Sequence, residues 1–186
     1  VINAVFKTLK DRKSLVGEKT ALFEEKITTL FGKKFGIMVN SGSSANLLAL
    51  EILQLPEGSE VITPVLTFST TVAPILQKKL IPVFVDVKPG SYIIDVDKIE
   101  ENITSKTKVL FIPLLLGNVP DMARLRKIAN KHKLIFIEDS CDTLGATFEG
   151  KPTGSYSDIS TTSFYGTHII SGAGGGGLVC VSNKDW

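Results

Sequence analysis

The sequence is poor in the residues that build disulfide frameworks and structural zinc sites. It contains two cysteines, Cys141 and Cys180, without CxxC spacing, so buried reduced thiols are expected. No stretch approaches the roughly 20 apolar residues of a membrane helix, and the start lacks the charged-then-apolar order of a signal peptide. The net charge is only +2, with scattered basic residues. We therefore expect a cytoplasmic protein that binds neither nucleic acid nor membrane.

The composition is that of one soluble globular domain. The chain has 186 residues, of which 43% are hydrophobic and 22% charged, enough for a sizeable core. It begins at Val1 rather than Met, and the apolar run 177–181 near its end predicts a strand that still needs partners. We therefore expect a fragment of a longer protein.

The apolar pattern alternates between strands and helices. Seven runs predict strands, at residues 35–40, 60–64, 81–87, 108–114, 134–139, 158–164 and 177–182. Helical patterns lie at 45–53, 71–78, 96–103 and 121–131, whereas 1–34 has only loose helical spacing and is expected to pack outside the sheet. This alternation predicts an α/β domain with a mostly parallel sheet flanked by helices, whose ligands gather at the carboxyl ends of the strands.

The first candidate binding element follows the strand at 35–40. Gly42, Ser43 and Ser44 form a turn of small residues that leads directly into a helix. The free amides and the positive end of a helix dipole favour a phosphate group. A tight turn capped by serine would have the same pattern, so both interpretations stay open.

The second element is the strand at 134–139, which ends in Glu138 and Asp139. A carboxylate at a strand end can pair with a protonated ring nitrogen, as a pyridinium cofactor requires. We choose Asp139 for this role. A helix cap or a surface acid is the alternative.

The third element runs from Ser163 to the glycine-rich segment 172–177. Gly172, Gly174 and Gly177 satisfy G-x-G-x-x-G, but a strand rather than a helix follows, so we exclude a nicotinamide site. The glycines predict a loop that turns sharply beside a ligand, or a generic flexible loop.

In this order the three elements resemble the sugar aminotransferase (DegT/DnrJ/StrS-type) family of fold-type I pyridoxal phosphate (PLP) enzymes, over nearly the whole chain. The resemblance implies that residues 1–186 hold most of the cofactor-binding large domain, without the small C-terminal domain. It also implies a set of cofactor contacts: Gly42, Ser43, Ser44 and Ser163 for the phosphate, Asp139 for the pyridine nitrogen and Phe68 for the ring face. Asp142 stands where many members have glutamine near the ring hydroxyl, so that contact is altered.

The chain departs from the family at the end of the Ser-Phe-x-x-x-Lys motif. His168 takes the place of the lysine that binds the cofactor as a Schiff base, and no lysine occurs between Lys151 and Lys184. Imidazole cannot form that linkage, which requires a primary amine. Pyridoxamine phosphate (PMP), held without a covalent bond, then becomes the expected resting cofactor.

A histidine at this position resembles the branch of sugar 3-dehydratases that make 3,6-dideoxyhexoses for surface polysaccharide. The sequence around His168 is most similar to that of enzymes acting on a GDP-linked 4-keto-6-deoxymannose. The resemblance implies that His168 is the base in the loss of the C3 hydroxyl, and that L-glutamate restores the amine. An unperturbed histidine titrates at about pH 6.5, which suits both halves of a proton transfer.

Three other functions stay open at this point. A sister branch acts on a CDP-linked 4-keto-6-deoxyglucose and carries a [2Fe-2S] cluster, and Cys141 stands at the place of its first cluster cysteine. The protein could also be an ordinary aminotransferase with a misaligned lysine, or a non-catalytic protein that binds cofactor or sugar. Because members of the family build each site at a homodimer interface, isolated residues 1–186 are expected to be inactive.

Overall fold

The computed structural model describes residues 2–12 and 16–186, and it contains one seven-stranded sheet. The strands are β1 (Phe35–Val39), β2 (Glu60–Pro64), β3 (Ile81–Val85), β4 (Thr107–Pro113), β5 (Ile135–Asp139), β8 (Ile159–Ser163) and β9 (Gly177–Val181). A separate two-stranded hairpin, β6 (Thr147–Phe148) with β7 (Lys151–Pro152), precedes β8. In the sheet the order is β1-β9-β8-β5-β4-β2-β3, and β9 runs opposite to the other six strands. Six carboxyl ends therefore share one edge.

Five helices accompany these strands in the described residues. They are α1 (Ile2–Lys10), α2 (Glu18–Leu30), α3 (Gly42–Glu51), α4 (Ser69–Gln77) and α5 (Met122–His132). Asp121 caps α5 by accepting from the backbone N–H of Arg124 at 2.9 Å, and the helix ends at Lys133 in a left-handed conformation. None of the helices found in the described ranges has the length and apolar character to span a bilayer.

The core lies on both faces of the sheet. One face packs against α3 and α4 through residues such as Ala45, Ala49 and Ile75. The opposite face packs against α5 and, near β9, against α2. Because side chains alternate along a strand, Asp139 at the end of β5 faces α3 and α4, whereas Glu138 faces the opposite layer.

The predicted fold class is confirmed, and each of the seven predicted runs forms a strand of the sheet. The helix predicted over 96–103 is wrong, because two short 3-10 turns, Val96–Lys98 and Glu100–Asn102, occupy this stretch. Apolar residues three apart, such as Val96 and Ile99, suit a 3-10 turn as well as an α-helix. The loosely helical stretch 1–34 contains two helices, and its residues 1 and 13–15 lie outside the described part of the chain.

Candidate active site

The segments that carry the predicted site residues meet at one edge of the sheet. They lie at the carboxyl ends of β1, β2, β5 and β8, and the glycine-rich loop before β9 joins them because β9 runs the other way. Ligands of open α/β sheets bind at this edge. The topology therefore brings together residues that are far apart in the sequence.

The turn after β1 forms the start of α3. Ser41 is the N-cap, and its hydroxyl accepts from the backbone N–H of Ser44 at 3.1 Å. Gly42 and Ser43 occupy the first two helical positions, where backbone N–H groups have no partner within the helix. Ser43 is exposed and Gly42 is buried. The turn therefore presents free amides and hydroxyls at the positive end of a helix dipole.

Gly42 brings this helix start against two other segments of the edge. A Cβ at residue 42 would lie 2.6 Å from Cβ of Ser163 and 2.7 Å from Sγ of Cys141. Ser163 ends β8 and is buried, and its hydroxyl accepts from the backbone N–H of Tyr165 at 3.2 Å. Gly42 and Ser163, both predicted to bind the phosphate, therefore lie against each other.

Asp139 lies at the centre of a buried hydrogen-bond network. Its Oδ2 accepts from Nδ2 of Asn46 at 2.8 Å and from the hydroxyl of Thr71 at 3.0 Å. Its Oδ1 accepts from the backbone N–H of Cys141 at 3.2 Å. Asn46 in turn accepts from the hydroxyl of Thr161 at 2.6 Å. Three donors from three segments thus fix the orientation of this carboxylate.

The sequence interpretation missed Asn46, Thr71 and Thr161. Each is almost fully buried although it is polar, and buried polar groups are nearly always hydrogen-bonded. The sequence does contain a signal for Asn46, because this residue shares a helix face with the apolar Ala49 and Leu50. A polar residue on a buried face indicates a specific partner, here Asp139.

Asp142 and His168 lie next to each other on the loops that follow β5 and β8. Nε2 of His168 is 3.5 Å from Oδ1 of Asp142, and the two side chains are 21% and 31% exposed. Oδ2 of Asp142 accepts from the backbone N–H of Leu116 at 3.1 Å. Nδ1 of His168 is buried and has no hydrogen-bond partner in the described residues. The structure therefore pairs the proposed base with a carboxylate.

Phe68 is on the same edge but does not take part in these contacts. It precedes α4 and is 69% exposed. Thr71, which contacts Asp139, follows it by three positions, and its backbone N–H donates to the carbonyl of Phe68. The exposed ring is thus tied through α4 to the Asp139 network.

Cys141 is a free thiol between the Asp139 carboxylate and the start of α3. Its burial, together with the nearby charge of Asp139, raises the pKa of the thiol well above its ordinary value. A neutral thiol is therefore expected at pH 7. Cys180 is also free and lies on the opposite face, where burial raises its pKa to about 12.

The glycine-rich loop packs directly on the phosphate turn. A Cβ at Gly177 would lie 2.2 Å from the carbonyl oxygen of Ser41. Gly174, Gly175 and Gly176 have positive φ values of 102°, 104° and 156°, a conformation that L side chains rarely adopt. The loop thus turns sharply beside the start of α3, and its position beside a ligand stays a prediction.

These residues fit a phosphorylated pyridine cofactor. Free amides at a helix start, beside the buried Ser163, suit a phosphate. At the other end of the site the carboxylate of Asp139 suits a protonated ring nitrogen. Two buried hydroxyl oxygens lie at the same edge, those of Thr63 and Ser140. Neither has a hydrogen-bond partner in the described residues. Such groups mark places where a ligand or water completes the hydrogen bonding.

The chain matches one protein family over its whole length. Residues 1–186 match the profile of the DegT/DnrJ/EryC1/StrS aminotransferase family. The lipopolysaccharide biosynthesis protein RfbH of Salmonella typhimurium is 44% identical over 170 residues, which cover 87% of this chain and 39% of the relative. The GDP-4-keto-6-deoxy-D-mannose 3-dehydratase of Yersinia pseudotuberculosis is 35% identical, with 99% and 48% covered.

Aminotransferases are similar to the same degree. The 3-oxo-glucose-6-phosphate:glutamate aminotransferase of Bacillus subtilis is 36% identical, with 100% of this chain and 41% of the relative covered. Among solved structures, GDP-4-keto-6-deoxy-D-mannose-3-dehydratase of E. coli with bound hydrated PLP superposes with a TM-score of 0.92 at 32% identity, over 98% of this chain and 48% of that one. The chain spans less than half the length of these proteins.

Proposed function

This chain belongs to the DegT/DnrJ/EryC1/StrS aminotransferase family, and we propose that the protein is a PMP-dependent 3-dehydratase of a nucleotide-linked 4-keto-6-deoxyhexose. A GDP-linked sugar is the proposed substrate, and L-glutamate is the proposed amino donor. Residues 1–186 would form most of the cofactor-binding large domain of a homodimer. The similarity to a lipopolysaccharide biosynthesis protein supports a role in making surface polysaccharide.

The observation that carries this proposal is His168. It stands where the aminotransferase motif has its lysine, and it lies on the ligand-binding edge beside Asp142. A histidine cannot hold PLP covalently, but it can accept and return a proton near neutral pH. We therefore propose that the site eliminates the C3 hydroxyl by proton transfer and does not hold the cofactor as a Schiff base.

The other predicted residues have complementary proposed roles. The free amides of Gly42 and Ser43, with the side chain of Ser44 and the hydroxyl of Ser163, would hold the phosphate, and Phe68 would cover one ring face. Asp139 would keep the pyridine nitrogen protonated, and its three donors hold it in one orientation. When bound, PMP supplies a primary amine that can condense with a ketone and a pyridinium ring that can accept electrons.

The proposed reaction balances without a further reductant. One 4-keto-6-deoxyhexose and one glutamate would give the 3-deoxy-4-keto sugar, 2-oxoglutarate and ammonia. Glutamate supplies the two electrons and the nitrogen, and His168 would carry the proton that accompanies the departing C3 hydroxyl. The enzyme would thus consume one glutamate per turnover.

The test uses the full-length protein with GDP-4-keto-6-deoxymannose, PLP and glutamate, without a reductase. We expect NMR to show loss of the C3 hydroxyl together with formation of 2-oxoglutarate. The variant His168→Asn is expected to lower the rate by about 10²–10⁴-fold, the typical contribution of a general base. A 4-amino sugar as the product would contradict the proposal.

An ordinary aminotransferase is the second candidate, since a sugar-phosphate aminotransferase is as similar to this chain as the GDP-sugar 3-dehydratase is. It requires a lysine that holds PLP, so borohydride treatment of the PLP form should then attach the cofactor covalently. We expect no attachment in the natural protein and attachment in the variant His168→Lys. A third candidate, the CDP-sugar enzyme with a [2Fe-2S] cluster, predicts turnover only when a reductase is added.

A further inference from the structure

We propose that Asp142 is a positioning residue for His168. Its carboxylate would hold the imidazole ring in place and stabilise the positive charge that the ring gains when it accepts a proton. This inference rests on the proposed function, in which His168 is the base. It differs from the role expected for residue 142 from the family resemblance, a contact with the ring hydroxyl of the cofactor.

The two oxygens of Asp142 have different partners. Oδ2 accepts from the backbone N–H of Leu116 at 3.1 Å, which fixes one side of the carboxylate. Oδ1 then lies 3.5 Å from Nε2 of His168. This distance exceeds that of a good N–H···O hydrogen bond, about 2.7–3.2 Å, but it is within the range of an ion pair. The pairing is therefore strongest once the ring is protonated, because the carboxylate then attracts a full positive charge.

The turn that carries Asp142 is firmly anchored to the segment after β4. The backbone N–H of Leu114 donates to the carbonyl of Asp139 at 2.9 Å, and the hydroxyl of Thr143 donates to the carbonyl of Leu114. Leu116 itself has a left-handed conformation with φ 54° and ψ 31°, which is rare for a bulky residue. This conformation belongs to the turn whose N–H reaches Asp142, and such outliers cluster at functional sites.

The position of His168 is set from the other side as well. Its backbone N–H donates to the carbonyl of Tyr165 at 3.0 Å, and the two rings pack edge to face with centroids 5.8 Å apart. Asp142 is thus the charged group in contact with this imidazole in the described residues. A carboxylate beside a catalytic histidine orients the ring and stabilises the imidazolium that forms during proton transfer.

The two possible roles of Asp142 predict different kinetic effects. A carboxylate that acts through His168 influences the chemical step, so its loss lowers kcat. A side chain that contacts the cofactor ring influences cofactor affinity instead. Asp142→Asn keeps the shape and the acceptor for Leu116 but removes the charge, and Asp142→Gln introduces the residue that many aminotransferases have.

The experiment compares these variants in the full-length protein loaded with PMP. We expect both to lower kcat by about 10-fold or more, below the about 10²–10⁴-fold cost of removing a general base. The KM for the nucleotide sugar and the Kd for PMP should stay within about 2-fold, because neither ligand loses a contact. Unchanged kcat with weaker PMP binding would assign Asp142 to the cofactor and overturn the inference.

A second measurement does not depend on turnover. In cofactor-free protein labelled with ¹⁵N-histidine, the imidazole signals of His168 are assigned from their loss in His168→Asn. Asp142→Asn should shift them, and the control Glu57→Gln should not. Glu57 is an exposed carboxylate paired with Lys79 at 2.7 Å, ahead of the amino end of β2.

The two readouts separate this inference from the proposed function. Unshifted His168 signals in Asp142→Asn would overturn the pairing whatever reaction the protein catalyses. Shifted signals in a protein that makes a 4-amino sugar would support the pairing and contradict the dehydratase. Shifted signals together with a lowered kcat for dehydration would support both.

Discussion

At the scale of single residues, Asp139 depends on neighbours that are distant in the sequence. Thr71 and Asn46 both donate to its Oδ2, from α4 and α3 respectively. A hydrogen bond to a charged group contributes about 1.5–3 kcal/mol. The loss of one of these donors would leave the carboxylate less firmly oriented toward the ring nitrogen that it is proposed to hold.

We therefore expect Thr71→Val to weaken PMP binding by about 10-fold or more, because valine keeps the shape and removes the donor. Fluorescence titration of the full-length protein with PMP measures this affinity. Thr70→Val is the control, since the side chain of Thr70 is not among the donors to Asp139. Equal affinities of the two variants would show that Thr71 does not support Asp139.

The sequence identifies site residues at strand ends and helix starts more readily than the residues that support them. Asp139, Gly42 and Ser163 are recognisable because a strand end or a helix start surrounds each of them. Asn46 and Thr71 lie inside helices, and their partner is 93 and 68 positions away. Their role depends on how α3 and α4 pack over β5, which local periodicity does not specify.

At the scale of secondary structure, apolar runs predict the strands because the sheet is covered on both faces. The five residues of β8, although mostly serine and threonine, are all buried. Helix bounds are predicted less well, since α3 begins at Gly42 rather than at 45. The N-cap Ser41 decides this start, and the same small residues that suggest a phosphate turn form the first turn of the helix.

The close approach of α3 to β5 and β8 leads to a prediction at Gly42. In Gly42→Ala the new Cβ would press on Ser163 and Cys141 at 2.6 and 2.7 Å. We expect a loss of about 1–3 kcal/mol in the free energy of unfolding, the usual cost of overpacking. Urea unfolding of the full-length protein measures it.

The matched control is Gly166→Ala. A Cβ at residue 166 meets nothing within 4 Å, and its φ is not in the left-handed region. This variant should stay within about 0.5 kcal/mol of the natural protein. If Gly42→Ala were as stable as Gly166→Ala, the start of α3 would not be confined by β5 and β8.

At the scale of the whole molecule, the sheet separates two buried carboxylates that are adjacent in the sequence. Asp139 faces the site, whereas Glu138 is completely buried on the opposite face, with the hydroxyl of Thr153 at 3.5 Å. Burial raises the pKa of Glu138 from 4.5 to about 7. Nearby, Lys33 donates to the carbonyl of Ser157 at 2.5 Å, and burial lowers its pKa to about 8.

This raised pKa makes the stability of the protein depend on pH. Glu138 is neutral in both the folded and the unfolded state below about pH 4.5, but the folded state resists its ionisation up to about pH 7. Stability from this residue is therefore fully present below pH 4.5 and is lost as the pH rises to about 7. The substitution Glu138→Gln keeps the shape of the neutral acid and cannot ionise.

We expect the natural protein to lose stability relative to Glu138→Gln between about pH 4.5 and 7, and the difference to level off above that. Urea unfolding at several pH values measures the two free energies, and Glu57→Gln, which removes an exposed carboxylate, should run parallel to the natural protein. Lys33 stays largely protonated throughout this window, so it adds little to the difference. Parallel profiles for the natural protein and Glu138→Gln would mean that Glu138 ionises in the folded state as readily as in water.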